Sequence, residues 1–219
     1  MHKRKRSKPA ARRRPLSAER ILRVAVAILD RENLDALSMR RLAERLRVSP
    51  MALYNHVRNK QELTERIVDT VIGEFTSPAD GGAWHERLRT CFGALRTVCL
   101  SHPSALPLIE RMGSISPAVF RPMEAALTAL REAGFAPLEA MNAWCTLIGF
   151  TMGQLSYQLR KPVSFDPSVA VERRVLSPED FPHVSQAITA VPDWDFDRAF
   201  AFGLDVIIDG LQARAKATH

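Results

Sequence analysis

The chain has 219 residues, 46% of them hydrophobic, which is enough for one large domain or for a small domain attached to a larger one. Residues 1–70 hold 18 Lys/Arg and 8 Asp/Glu, net +10; the totals are 31 and 24, so residues 71–219 hold 13 and 16, net −3. A basic head on a mildly acidic body calls for a polyanionic partner, nucleic acid first, while three cysteines without CxxC spacing (Cys91, Cys99, Cys145) fit a reduced, cytoplasmic protein with no metal or cofactor motif.

The first sixteen residues form a basic arm, "KRKRSKPAARRRP", with eight cations before position 15. Unbound, such a run is solvated and disordered; nucleic acid is its natural contact. No apolar stretch follows it, so no signal peptide is expected. Ser17 caps a first helix whose apolar positions Ile21, Leu22, Ala25, Ile28 and Leu29 follow the 3.6 period and which ends near Asn33. Ser38 caps a second, turning Leu42, Ala43 and Leu46 inward, and Ser49 with Pro50 starts a third, because Pro at the first helical position has no amide hydrogen to lose. Asn59 and Glu62 have the spacing of a capping box for a fourth helix carrying Leu63, Ile67, Val71, Ile72 and Phe75. "TSPADGGA" at 76–83 is the clearest break, dividing residues 17–75 from a body at 76–219.

Further helices are expected near 84–101, 117–133, 137–161, 178–190 and 195–214, with an irregular loop at 162–177. Pro103, Pro107, Pro122, Pro162 and Pro192 mark breaks or kinks, and Gly134 is a C-terminal cap. Residues 140–159 are uncharged and long enough to span a bilayer, but Asn142, Thr146, Thr151, Gln154, Ser156 and Gln158 make that stretch a helix buried among helices, so no membrane partner is expected. The fold class is all-α: a three-helix DNA-binding head with a helix-turn-helix, plus a larger helical domain.

Helices two and three, about eight residues each and separated by "RLRVS", have the layout of a helix-turn-helix whose second helix enters the major groove by its N-terminal half. Met51 and Ala52 can meet a thymine methyl and Asn55 can pair with adenine; Tyr54 and His56 can reach phosphate or base edges, although Tyr54 also fits as a packing aromatic. Arg40 can fork onto guanine or a phosphate, and the fourth helix offers its N-terminal amides and Lys60 to the next phosphate.

"LSMRRLAERLRVSPMALYNHVRNKQEL" at 37–63 resembles the DNA-binding head of the tetracycline-repressor (TetR) family of bacterial one-component regulators. "SHPSA" at 101–105, "GFAPLEAMNAW" at 134–144, "FTMG" at 150–153 and "FAFGLDVIIDGL" at 200–211 are similar to the ligand-binding and dimerisation domain of the tetracycline repressor's own subgroup. The resemblance implies a homodimer on palindromic double-stranded DNA, released when a small-molecule effector enters the body. It carries DNA contacts over to Arg40, Tyr54, His56 and Lys60, specificity positions to Pro50, Met51, Ala52 and Asn55, and places the cap Ser49 in the same interface. Positions that hold a Mg–drug chelate fall on Ile109, Gly149 and Tyr157, and other drug contacts on Thr76, Cys91 and Leu95. Ile and Gly cannot ligate a metal and Tyr is a poor Mg ligand, so the effector is expected to be apolar or aromatic rather than tetracycline.

Trp144, Phe150 and Met152 wall that pocket or are plain core; Gln154, Thr151 and Tyr157 would orient the ligand. His102 caps helix carbonyls or meets ligand, and Gly149 with Gly153 marks a close approach to another helix. Dimerisation is expected on the last helix through Phe196, Phe200, Leu204, Ile207 and Leu211, with Ile208, Phe202 and Val206 widening the apolar surface. An enzyme is excluded by the lack of a nucleophile–base pair, a phosphate-cradling glycine loop or clustered metal ligands: His2, His56, His85, His102, His183 and His219 are scattered. The competing class is a ligand-independent DNA-binding or architectural protein, against which the large body argues.

Overall fold

The computed structural model describes residues 15–78, 81–111, 116–160, 177–190 and 194–217. They are helical, with no strand among them. The chain separates into two compact units, Met1–Ile67 and Val68–His219.

In the first unit α1 (Ala18–Glu32), α2 (Met39–Leu46) and α3 (Pro50–Tyr54) pack around one core, joined by the opening turns of α4 (Lys60–Ile72). Ile21, Ala25, Ile28, Leu29, Leu37, Leu42, Leu46, Leu53, Val57, Leu63 and Ile67 fill that core. Each start obeys the sequence: the hydroxyls of Ser17, Ser38 and Ser49 accept from the amides of Arg20, Arg41 and Ala52. Asn59 Oδ1 accepts from Glu62 N at 2.8 Å, but the Glu62 carboxylate returns to Arg58 N at 2.7 Å, one residue earlier than the capping box predicts. The turn between α2 and α3 bends through Arg47 at φ 57°, left-handed without a glycine, with its amide and that of Val48 closing onto α2 carbonyls.

The second unit packs α5 (Trp84–Ser101) against α7 (Pro117–Glu132), α8 (Pro137–Arg160) and α10 (Phe196–Ala217); α8 also lies on α7 and α10. Leu88, Phe92, Cys99, Ala126, Leu130, Leu147, Leu155, Phe200, Leu204 and Ile208 form its core. The short α9 (Pro182–Ala190) follows a turn at 178–180 and is largely exposed. Gly134, at φ 91°, ends α7 as expected, with Phe135 N bonding back to Leu130 O.

Pro103 marks the break after α5 as expected, whereas Pro107 and Pro122 sit inside helices. Pro103 opens a 3₁₀ turn (Pro103–Ala105) and Pro107 sits in the first turn of α6 (Leu106–Arg111), a helix the sequence did not suggest; in a first turn the missing amide costs nothing. Pro122 lies inside α7, where it is buried and its carbonyl accepts from Cys91 Sγ at 3.5 Å, so tertiary packing offsets the lost helical bond. The basic arm, the loop at 162–176, Pro162 and Pro192 lie outside the described residues.

Candidate DNA interface and effector chamber

α3 is five residues long rather than eight. Pro50 opens it, Leu53 anchors it with no exposed surface, and Asn55 closes it as C-cap, so Asn55 and His56 stand at its C-terminal end instead of in its first half. Around the buried anchor the other side chains face outward: Met51 is 72% exposed and Tyr54 46%, with Ser49, Pro50 and Asn55 exposed and Ala52 and His56 half-buried. Among the described residues, this exposed Met–Tyr–Asn ridge on a short helix is not covered by the rest of the chain. Tyr54 presents nearly half of its surface to solvent.

Arg40 and Lys60 flank this ridge in sequence, both exposed. Arg40 Nε lies 3.2 Å from Glu44 Oε1, and that guanidinium is 88% exposed. Surface pairs at i,i+4 contribute only about 0.3–0.5 kcal/mol, so a phosphate can take the arginine over. Arg41 and Arg45 are committed elsewhere, at 2.9 and 2.7 Å from the two oxygens of Glu32. Those guanidiniums, Arg45's first, hold the Glu32 carboxyl below its ordinary range and tie α2 to α1.

The residues expected to meet effector stand in different surroundings. Thr76 is exposed just beyond α4, and Ile109 is half-buried on α6. Leu95 and Cys91 are core residues of α5; burial pushes the Cys91 thiol up to about 12, so it stays neutral. Trp144 packs its ring 5.6 Å from Phe92. Phe150 stacks on Phe200 at 5.6 Å and lies flush on Gly203, which makes it a packing residue between α8 and α10. Tyr157 is exposed, 6.0 Å from the Phe196 ring, Gln154 is half-buried, and Thr151 is buried with its hydroxyl donated to Leu147 O. A separate cavity of about 270 Å³ is walled by Phe75, Ser77, Pro78, Arg87, Arg121, Glu124 and Thr128, none of them among the expected contacts.

Two other expectations are corrected within the chain. Phe200 and Leu204 are buried against the chain's own α5 and α8, so they cannot form a self-association face; Phe196, Ile207 and Leu211 are half-buried, while Phe202 (71%) and Val206 (55%) stand exposed on the other side of α10. Gly149 and Gly153 are exposed, and a β-carbon at either would meet nothing within 4 Å. His102 caps α5 as expected, its backbone amide bonding Cys99 O, and its side chain meets Glu74, Nε2 to Oε2 3.1 Å. Sequence reasoning also missed Arg96. Its side chain is 11% exposed, lies 2.7 Å from Asp197 and 2.8 Å from Gln158 and covers the Phe200 ring at 4.9 Å; as one of three arginines on α5 it gave no sign of those partners, which come from α8 and α10.

No group of three or more His, Cys, Asp or Glu among the described residues could hold a metal ion. No helix among the described residues is long and apolar enough to cross a membrane.

A capped helix-turn-helix with an exposed reading ridge, followed by a larger helical unit, defines a DNA-binding transcriptional regulator. Residues 21–67 match the model of bacterial regulatory proteins of the tetR family, and residues 77–215 match the tetracyclin repressor-like C-terminal domain. The chain belongs to the tetracycline-repressor family of ligand-responsive, DNA-binding repressors. Its relatives include the tetracycline repressor protein class A from transposon 1721 of Escherichia coli, 31% identical over 210 residues, covering 91% of this chain and 92% of that protein. The HTH-type transcriptional repressor DrrR1 of Streptomyces coeruleorubidus is 29% identical, over 90% of this chain and 77% of its own. Apo ActR from Streptomyces coelicolor has a similar structure, with a TM-score of 0.83 at 31% identity over 94% of this chain and 99% of that one; ActR has also been solved in complex with actinorhodin.

Proposed function

We propose that two copies of this chain grip a two-fold symmetric operator with their α3 ridges, and release it when a largely apolar, aromatic molecule enters the second unit. Asn55 reads a base edge with Met51, Ala52 and Pro50, Ser49 caps the reading helix, and Arg40, Tyr54, His56 and Lys60 hold phosphate or sugar. The observation that carries this reading is the exposed ridge on a helix anchored by the wholly buried Leu53. Asn55→Ala should cost about 1–3 kcal/mol at one base pair, whereas Lys60→Ala should weaken all sequences and lower the log–log salt slope by about 0.9. Equal loss on every sequence for Asn55→Ala would remove it from base readout.

The effector class rests on residue chemistry and on a relative. The positions that would serve a charged chelate carry Ile109, Gly149 and Tyr157, while Leu95 is a buried apolar residue of α5 and Trp144 lies 5.6 Å from Phe92. ActR, similar over nearly the whole chain, binds actinorhodin. Release requires tighter binding to the form with displaced heads than to the DNA-bound form, since equal affinity shifts nothing. Tyr157→Ala should change the response to aromatic ligands and leave operator affinity intact, and added Mg²⁺ should have no effect. Tetracycline-dependent release that required Mg²⁺ would overturn this assignment. The two copies meet through Phe202 and Val206 of α10 and the exposed side of α8. The protein acts in the cytoplasm by binding, not by catalysis.

A further inference from the structure

The five-residue α3 is too short to hold its own orientation, since isolated helices below about 12 residues are marginal. Leu53 and Val57 anchor it on the buried side, which leaves its C-terminal end to be fixed by other means. The passage 56–59 is held at three points by two residues one turn apart on α4. Arg66 Nη1 donates to the His56 carbonyl at 3.2 Å, Glu62 Oε2 accepts from Arg58 N at 2.7 Å, and Asn59 Oδ1 accepts from Glu62 N at 2.8 Å. The two side chains are locked to each other, Arg66 Nη2 to Glu62 Oε1 2.7 Å, and both are more than half covered.

We propose that Arg66 and Glu62 form a clamp that sets the angle at which α3 presents its reading ridge, which makes them specificity-determining positioning residues without a DNA contact of their own. The inference rests on α3 being the reading helix. The fork of Arg66 serves two acceptors at once, the His56 carbonyl and the Glu62 carboxylate, in the planar geometry a guanidinium provides; an ammonium can supply the charge but not both directions. The hydrogen bond from Arg58 N, followed by the nearby guanidiniums, keeps the Glu62 carboxyl below its ordinary range and therefore ionised as an acceptor. With the clamp opened, Leu53 still packs, so the head stays folded while the positions of Tyr54, Asn55 and His56 broaden. Misorientation should reduce base readout far more than attraction to the phosphate backbone, which tolerates displacement.

The test uses the full-length protein on two probes: a 30-base-pair duplex recovered by in vitro selection against the wild-type protein, and a random-sequence duplex of equal length. Dissociation constants are measured for Arg66→Met, Arg66→Lys and Glu62→Gln over a series of salt concentrations. Arg66→Met should weaken the selected duplex at least tenfold and the random duplex less than twofold, with the salt slope on the selected duplex unchanged. Arg66→Lys should recover part of the loss. Glu62→Gln, isosteric and not expected to disturb folding, should lower the selected-to-random ratio in the same direction. A slope reduced by about 0.9 would make Arg66 a direct phosphate contact, and either equal loss on both duplexes or no loss at all would also overturn the proposal. Asn55→Ala on the same selected duplex separates the two readings. Sensitivity to Asn55 without sensitivity to Arg66 or Glu62 sinks the clamp alone, whereas indifference to Asn55 at every base pair sinks α3 as the reading helix and the clamp with it.

Discussion

A methyl group added at Gly203 should change the sign of its effect according to what stands at position 150. A β-carbon there would collide with Phe150 Cζ and fall 2.5 Å from Cε2. The ring cannot swing away freely, because it is stacked at 5.6 Å on Phe200. Two effects then oppose each other. Ala is favoured over Gly inside a helix by roughly 1 kcal/mol, while overpacking of this kind costs about 1–3 kcal/mol. Gly203→Ala should therefore destabilise the protein by about 1 kcal/mol. Phe150→Leu removes the ring-tip atoms, leaving only the helical preference, so in that background the same substitution should stabilise by about 1 kcal/mol. The coupling between the two positions is then about 2 kcal/mol. Urea unfolding of the four proteins at one fixed concentration measures it, the concentration being held because self-association contributes to apparent stability. Stabilisation of equal size in both backgrounds would refute the contact, and with it the assignment of Phe150 to packing rather than to ligand.

Of the three thiols, Cys145 is exposed, whereas Cys91 and Cys99 are buried with thiols pushed up to about 12, so a thiol reagent should titrate one cysteine in the native protein and all three after unfolding. Rapid native reaction of a second cysteine would contradict the packing of α5. Glu32 has a depressed folded-state pKa, so its contribution to stability is full above the ordinary value of 4.5 and is lost as the pH falls through the lower folded value. Glu32→Gln should accordingly flatten the acid side of a melting-temperature profile, and an unchanged profile would mean that Arg41 and Arg45 do not hold it. Ser49→Ala removes the oxygen that caps Ala52 N and should cost about 1 kcal/mol, detectable as a lower melting temperature and weaker operator binding; no change in either would exclude the cap.

Most of the head could be read in advance because its signals are local. Ser17, Ser38, Ser49 and Asn59 cap amides within three residues, and Leu42, Ala43 and Leu46 repeat at helical spacing. The turn before α3 was legible from the two Ser caps around it, but its left-handed bend at Arg47 was not, since such a residue without glycine leaves no mark in sequence. Glu62 showed its spacing from Asn59 but not that its carboxylate would serve Arg58 N and Arg66. In the body the helices were legible and their partners were not. The repeat at Phe196, Phe200, Leu204, Ile207 and Leu211 identifies an amphipathic helix, yet periodicity cannot say whether the apolar face meets its own chain or a second copy; α5 and α8 take Phe200 and Leu204, and Phe202 and Val206 remain outside. Pro107 and Pro122 were misread for a related reason, because a breaker in isolation becomes tolerable in a first turn or a packed site. Arg96 illustrates the same limit, since Asp197 lies about a hundred residues further along the chain.

Footprinting of the DNA flanking this gene, with the wild-type protein beside Val206→Asp, tests the regulator reading most directly. Val206 is exposed in the single chain, so aspartate there should leave each copy folded and oppose only association of two copies. Two symmetric half-sites should be protected by the wild-type protein, one helical turn or a multiple of it apart, and Val206→Asp should elute as a monomer and lose that protection at the same concentration. Asymmetric or absent protection by the wild-type protein, or a monomeric variant that protects both half-sites as well as the dimer does, would contradict it.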